Sequence, residues 1–147
     1  MSQPLVRFYV FAHAQTQARY RLVCQLADKA LTQAQRVFIL CADEAMCHAL
    51  DVYLWQYPEQ AFLPHAVVGS AEADEAKILL AAAPNRAGDC DVLINLSLET
   101  QTDIPRACSR IFEIVIQEPQ VLAATRRRYK HYQERELSLE THHLKSE

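Results

Sequence analysis

The chain has 147 residues, 50% of them hydrophobic and 22% charged, with a net charge of -3, the profile of one compact soluble domain that buries roughly two thirds of its unfolded surface without disulfide or metal. Its two glycines, Gly69 and Gly88, sit in neither a G-x-G-x-x-G nor a G-x-x-x-x-G-K-[ST] context. That excludes a dinucleotide fingerprint and a Walker A loop, because phosphate cradles depend on the close backbone approach that glycine permits.

In chain order, VRFYVFA (6–12) is β-branched and aromatic and reads as a buried strand. Tyr20, Val23, Cys24, Ala27, Ala30 and Leu31 recur at three- and four-residue spacing, which predicts a helix over about 16–31 with one face on a sheet. RVFILC (36–41) is nearly continuous in apolar residues, the mark of a parallel strand covered on both faces. Asp43 caps a second helix to about Trp55, with Met46, Cys47, Leu50, Tyr53 and Leu54 as its stripe. Pro58 and Pro64 bracket YPEQAFLPH, a surface loop that leads into a short strand at 66–69.

KILLAA and DVLINLS flank the turn-rich PNRAGDC and read as neighbouring strands joined by a hairpin-like link, with a crossover left open. A polar stretch around Pro105 holds one helical turn. RIFEIVI (110–116) is the last strand, and Glu118 and Pro119 open a final helix that runs to about Glu136. The segment from Leu137, SLETHHLKSE, is polar and without strong period, so a single α/β domain is expected over 1–137 and a loosely ordered C-terminal tail over 138–147.

No catalytic constellation emerges. The five cysteines are odd in number, with no C-x-x-C, and read as free buried thiols. The histidines show no H-x-x-x-H or H-E-x-x-H spacing, so no metal or cofactor is expected. Cys41 ends a strand just before a helix, a position where thiolates are activated, but Asp43 and Glu44 beside it oppose ionisation, and a core cysteine is the better reading. MSQPLVRFYV lacks a signal-peptide cleavage site, and no stretch reaches the roughly 18 apolar residues of a membrane span, so a cytoplasmic, reduced protein is expected.

The surface is more informative. From Val37 to Ala76 there is no lysine or arginine, whereas Arg126, Arg127, Arg128 and Lys130 cluster around Tyr129. Trp55, Tyr57, Phe62 and Leu63 are large apolar groups in and beside the proline-bracketed segment, where they either anchor an interface or plug the end of the sheet. On the final helix, Arg126, Tyr129 and Lys130 share a face with Leu122 and Gln133, opposite a core stripe of Val121, Ala124, Thr125 and Tyr132. Such a face suits nucleic-acid phosphates with stacking bases, or an acidic peptide ending in a hydrophobic side chain, and is also compatible with an ordinary solvated basic face.

With these segments placed, the chain resembles the chi subunit family of bacterial DNA polymerase III holoenzyme. The carriers are RFYVFA, RVFILCADEAMCHALDVYLW, YPEQAFLPH, DVLINLS and RRRYKHYQ, in family order over nearly the whole length. The resemblance implies a Rossmann-like, mostly parallel sheet with helices on both faces and no phosphate-binding glycine loop. It also implies a non-catalytic accessory protein of the clamp-loader assembly in DNA replication. Its implied partners are the psi subunit and the acidic, aromatic-ended C-terminal tail of single-stranded-DNA-binding protein, with DNA contacted mainly indirectly; direct single-stranded nucleic-acid binding is the alternative. Carried over by residue, tail binding falls to Arg126, Tyr129, Lys130 and Val115, and the psi interface to Trp55, Pro58, Phe62 and Leu63. Leu122 stands where a family lysine is frequent, and the loss of that cation either weakens binding or leaves Arg127 to compensate.

Overall fold

The structure is a computed structural model that describes residues 3–56, 65–68, 76–83, 89–100, 104–105 and 107–144. Along the described residues the elements are β1 (Leu5–Val10), α1 (Thr16–Thr32), β2 (Val37–Cys41), α2 (Glu44–Gln56), β3 (His65–Val67), β4 (Ile78–Ala82), β5 (Val92–Asn95), β6 (Arg110–Val115), α3 (Pro119–Glu134) and β7 (Ser138–His143). The strands form one sheet in the order β3-β4-β2-β5-β6-β1-β7, and every pairing is parallel. This is the Rossmann-like α/β arrangement that the sequence implies.

The continuous apolar runs are explained by burial on both sides. In β2 all five residues are buried; Val37, Ile39 and Cys41 join the cluster under α1 and α2, while Phe38 and Leu40 join the cluster under α3. The placement of the helices follows from the hand of the crossovers. α1 and α2 carry the chain from β1 to β2 and on to β3, in one direction across the sheet, whereas α3 carries it from β6 past β1 to β7, in the other. Crossovers of one hand running in opposite directions must lie on opposite faces.

Two expectations are corrected. β4 and β5 are not a hairpin: both run parallel to β2 and flank it, and a parallel pair cannot be closed by a tight turn. Nor is the chain loose from residue 138, because Ser138–His143 pair with β1 as the edge strand β7. The cause lies at the end of α3. Leu137 N–H bonds back to Tyr132 O and Glu136 N–H to Gln133 O, the paired bonds of a Schellman stop. Glu136 takes a left-handed φ of 59° that would ordinarily call for glycine. The turn delivers the chain to the open edge of β1, where a backbone ladder, the Arg7 Nε–Glu140 Oε1 contact of 3.0 Å and half-buried Leu139 hold it. α1 ends in the same way, with Ala34 at φ 59°.

All five cysteines are free and buried, and burial pushes the Cys24 thiol up to about 12. Between pH about 9 and 12 the unfolded chain therefore releases a proton that the folded one keeps. This contribution to stability is fully present below about pH 9 and is lost as the pH rises through that window, by up to about 1.4 kcal/mol per pH unit for the one group. Urea unfolding at pH 8 and pH 10.5 checks it: the midpoint is expected to fall for the unaltered chain, and to fall less for Cys24→Ala.

Candidate functional site

A row of paired strand residues under α3 organises the first surface. Asn95 of β5, Glu113 of β6, Phe8 of β1 and Thr141 of β7 are register partners across the sheet. Glu113 is the one charge in the run IFEIVI that follows Arg110, and it is 1% exposed, a placement that a charge tolerates only with bonded partners. It has them. Its Oε1 accepts from Arg128 Nη2 at 2.7 Å, and its Oε2 from Arg128 Nε at 2.8 Å and from the Tyr132 hydroxyl at 2.6 Å. Arg128 Nη1 donates onward to Ser97 O at 2.6 Å and Glu99 O at 2.9 Å. Burial works against the Arg128 charge, but Glu113 outweighs it and the guanidinium is held above its ordinary value. Burial, with Glu113 adjacent, likewise holds the Tyr132 hydroxyl well above its ordinary value.

α3 itself is started by Glu118, whose carboxylate accepts from Gln120 N–H and Val121 N–H, with Pro119 at the first helical position. At about 100° per residue, the side chains on either side of Arg128 are then fixed in direction. Arg126 and Lys130 lie about 160° away and point outward, while Tyr129 and Arg127 fall on opposite flanks. The contacts agree. Tyr129, 37% exposed, rests on Phe8 with ring centroids 5.1 Å apart, whereas Arg127 on the other flank donates to Thr100 Oγ1 at 3.1 Å and Leu98 O at 3.5 Å. Arg126 and Lys130 are exposed one turn apart. Val115, 2% exposed, lies beneath the helix in the cluster that also packs Leu122, so it is floor rather than surface.

Three sequence expectations change here. Arg128 is buried and belongs to the core stripe in place of half-buried Thr125. Arg127 is engaged with the 98–100 segment and is not turned to the Arg126 face, so it does not stand in for the family lysine. Leu122 is partly buried against the core rather than displayed beside Arg126. One signal for Arg128 was legible: a lone glutamate in a buried strand demands a cation nearby. Which of four neighbouring cations answers it is decided by the helix rotation.

The second surface lies at the far end of the sheet and on the other face. Trp55 is 60% exposed near the end of α2, and Val52, one turn earlier, is 41% exposed. α2 packs on β3 and β4, whereas Tyr129 sits over β1; five strand spacings, about 24 Å, separate β3 from β1. Pro58, Phe62 and Leu63 lie outside the described residues.

Between them, the carboxyl ends of β1 and β6 form the switch point at which open α/β sheets ordinarily bind ligands. Here Gln117 ties the two strand ends together: it donates its backbone N–H to His13 O at 2.8 Å and its side-chain amide to Phe11 O at 2.8 Å. On the α1 side, Arg19 is buried with its Nε on Ile114 O at 2.9 Å, its guanidinium lowered to about 10 by burial and still charged at neutral pH. Burial pushes the Cys41 thiol up, which leaves it in the core and not activated. No group of histidine, cysteine, aspartate or glutamate able to hold a metal ion occurs among the described residues.

Residues 4–140 match the family described as DNA polymerase III chi subunit, HolC. The chain belongs to the DNA polymerase III chi subunit family. It is 39% identical to the DNA polymerase III subunit chi of Pseudomonas aeruginosa over 140 residues, covering 95% of this chain and 96% of that one. It is 30% identical to the DNA polymerase III subunit chi of Escherichia coli over 122 residues, 82% of each. Membership makes the chain an accessory polymerase subunit in DNA replication, without a catalytic role. Among solved structures it resembles a dbp5 variant of S. cerevisiae bound to nup159, gle1, ip6 and adp, with a TM-score of 0.64 and 10% identity, covering 95% of this chain and 42% of that one. At that identity the likeness is one of fold alone. Among the described residues no helix is long and apolar enough to cross a membrane.

Proposed function

We propose that this chi-family subunit is an adaptor that couples the clamp-loader assembly, through the psi subunit, to the acidic C-terminal tail of single-stranded-DNA-binding protein in the bacterial cytoplasm. The observation that carries the reading is the α3 face. Two cations one turn apart, Arg126 and Lys130, stand beside a ring that is seated on Phe8 and only partly covered. Arg126 suits a terminal carboxylate, which its guanidinium can fork; Lys130 suits acidic side chains as a point charge; Tyr129 walls a place for an aromatic side chain. Trp55 and Val52 at the opposite end of the sheet suit an apolar partner surface, here assigned to psi together with Pro58, Phe62 and Leu63. Surfaces so far apart allow both partners to be held at once.

The test is a calorimetric titration with an acidic peptide ending in phenylalanine, beside the same peptide with its last residue removed or its terminal carboxyl amidated. Micromolar binding that is lost with either change is the expected result. Affinity that ignores the carboxylate but grows with the length of a single-stranded oligonucleotide, with a steep salt slope, would instead support the direct nucleic-acid reading of the same face.

A further inference from the structure

Taking the α3 face as the tail site, as proposed above, we infer that the buried pair Glu113 and Arg128, with Tyr132, is the positioning element of that site: it sets the rotation of α3 and so the direction of Arg126, Tyr129 and Lys130. Tyr129 on Phe8 and partly buried Leu122 also touch the body of the protein, but few side chains of α3 are fully buried. Apart from Arg128 and Tyr132 its buried side chains are Val121 and Ala124, and apolar packing of two small groups is non-directional. The carboxylate of Glu113 is directional. It accepts hydrogen bonds from Arg128 twice and from Tyr132 once, residues one turn apart on a single helix face. Arg128 then fixes the helix against the 97–99 segment through two carbonyls, and Arg127 pins the adjoining 98–100 segment on the same flank.

A slip of one residue turns α3 by about 100° and leaves the carboxylate unpaired in the core. It would also swing Tyr129 off Phe8 and carry Arg126 away from the outward direction. Neither Glu113 nor Arg128 has to touch the bound tail for this. Buried ion pairs are often no more stabilising than apolar replacements, and setting a register is their best-attested use.

The test is a double-mutant cycle on the full chain, read by titration with the acidic peptide ending in phenylalanine. Glu113→Gln keeps the size of the side chain but offers the guanidinium fork one acceptor oxygen instead of two. With Arg126 in place, the substitution is expected to weaken the peptide at least about fivefold; in an Arg126→Ala background its cost is expected to shrink to that of misplacing Tyr129 and Lys130 alone, since a cation already removed cannot be misplaced. Equal costs in the two backgrounds, or no cost in a cooperatively unfolding Glu113→Gln protein, would overturn the positioning role. Should Glu113→Gln lose cooperative unfolding, the pair Glu113→Leu with Arg128→Met, which removes both charges together, enters the same cycle under the same expectations. If the unaltered protein fails to bind the peptide, the tail-site reading falls and the positioning role with it; binding without coupling overturns the positioning role alone.

Discussion

Arg128→Ala is expected to destabilise the fold by about 3–5 kcal/mol, the range found when one member of a buried ion pair is removed. Both partners are 1% exposed, so the carboxylate of Glu113 would be stranded without its guanidinium, though still accepting from the Tyr132 hydroxyl. Ser97 O and Glu99 O would lose this donor as well, and an unmet acceptor at buried Ser97 adds to the cost. The contrast lies in the paired replacement. Glu113→Leu with Arg128→Met removes the charges together and is expected to cost clearly less than Arg128→Ala, although it too takes partners from Ser97 O, Glu99 O and the buried Tyr132 hydroxyl. Denaturant unfolding of the variants decides the matter: if Arg128→Ala costs less than about 1 kcal/mol, the buried network contributes little. Replacing the neighbour Arg127, whose contacts are exposed, is expected to cost well under 1 kcal/mol. Position along the sequence does not distinguish these two arginines; burial does.

Arg126→Ala and Tyr129→Ala are each expected to weaken binding of the acidic peptide by about 1–3 kcal/mol, roughly 5- to 150-fold, with the fold unchanged. The two losses should differ in character. Arg126 is exposed and acts through charge, so its contribution should shrink between about 0.05 and 0.5 M salt as screening shortens the reach of the field. Tyr129 acts through apolar contact beside Phe8, and its contribution should persist in high salt. Titrations of both variants at two ionic strengths, with circular dichroism to verify the fold, separate the terms. Unchanged affinity in both variants would remove the α3 face as the tail site.

The sequence by itself determined the order of nearly all the elements, and the reason is physical. Runs such as VFILC and VLIN have no alternation because both faces are covered, and the stripes of α1 and α2 follow the helical period. It likewise determined that neither a G-x-G-x-x-G nor a Walker A motif is present, since two glycines at positions 69 and 88 cannot supply one. The grouping of Arg126, Tyr129 and Lys130 on one face was legible too, because three- and four-residue spacing survives whatever the helix packs on.

Tertiary structure decided the rest. β7 carries almost no apolar signal, as only Leu139 is half-buried; it is a strand because the end of α3 delivers it to an unpaired edge, and a backbone ladder does not depend on side chains. The place of β4 beside β2, far from a hairpin with β5, came from the sheet order and not from the turn-rich link between them. The fates of Arg126, Arg127 and Arg128, identical side chains in a row, differ because Arg128 alone of the three pairs with Glu113 on β6 among the described residues. A helix period says which residues share a face, but only the surface beneath the helix says which face is turned down.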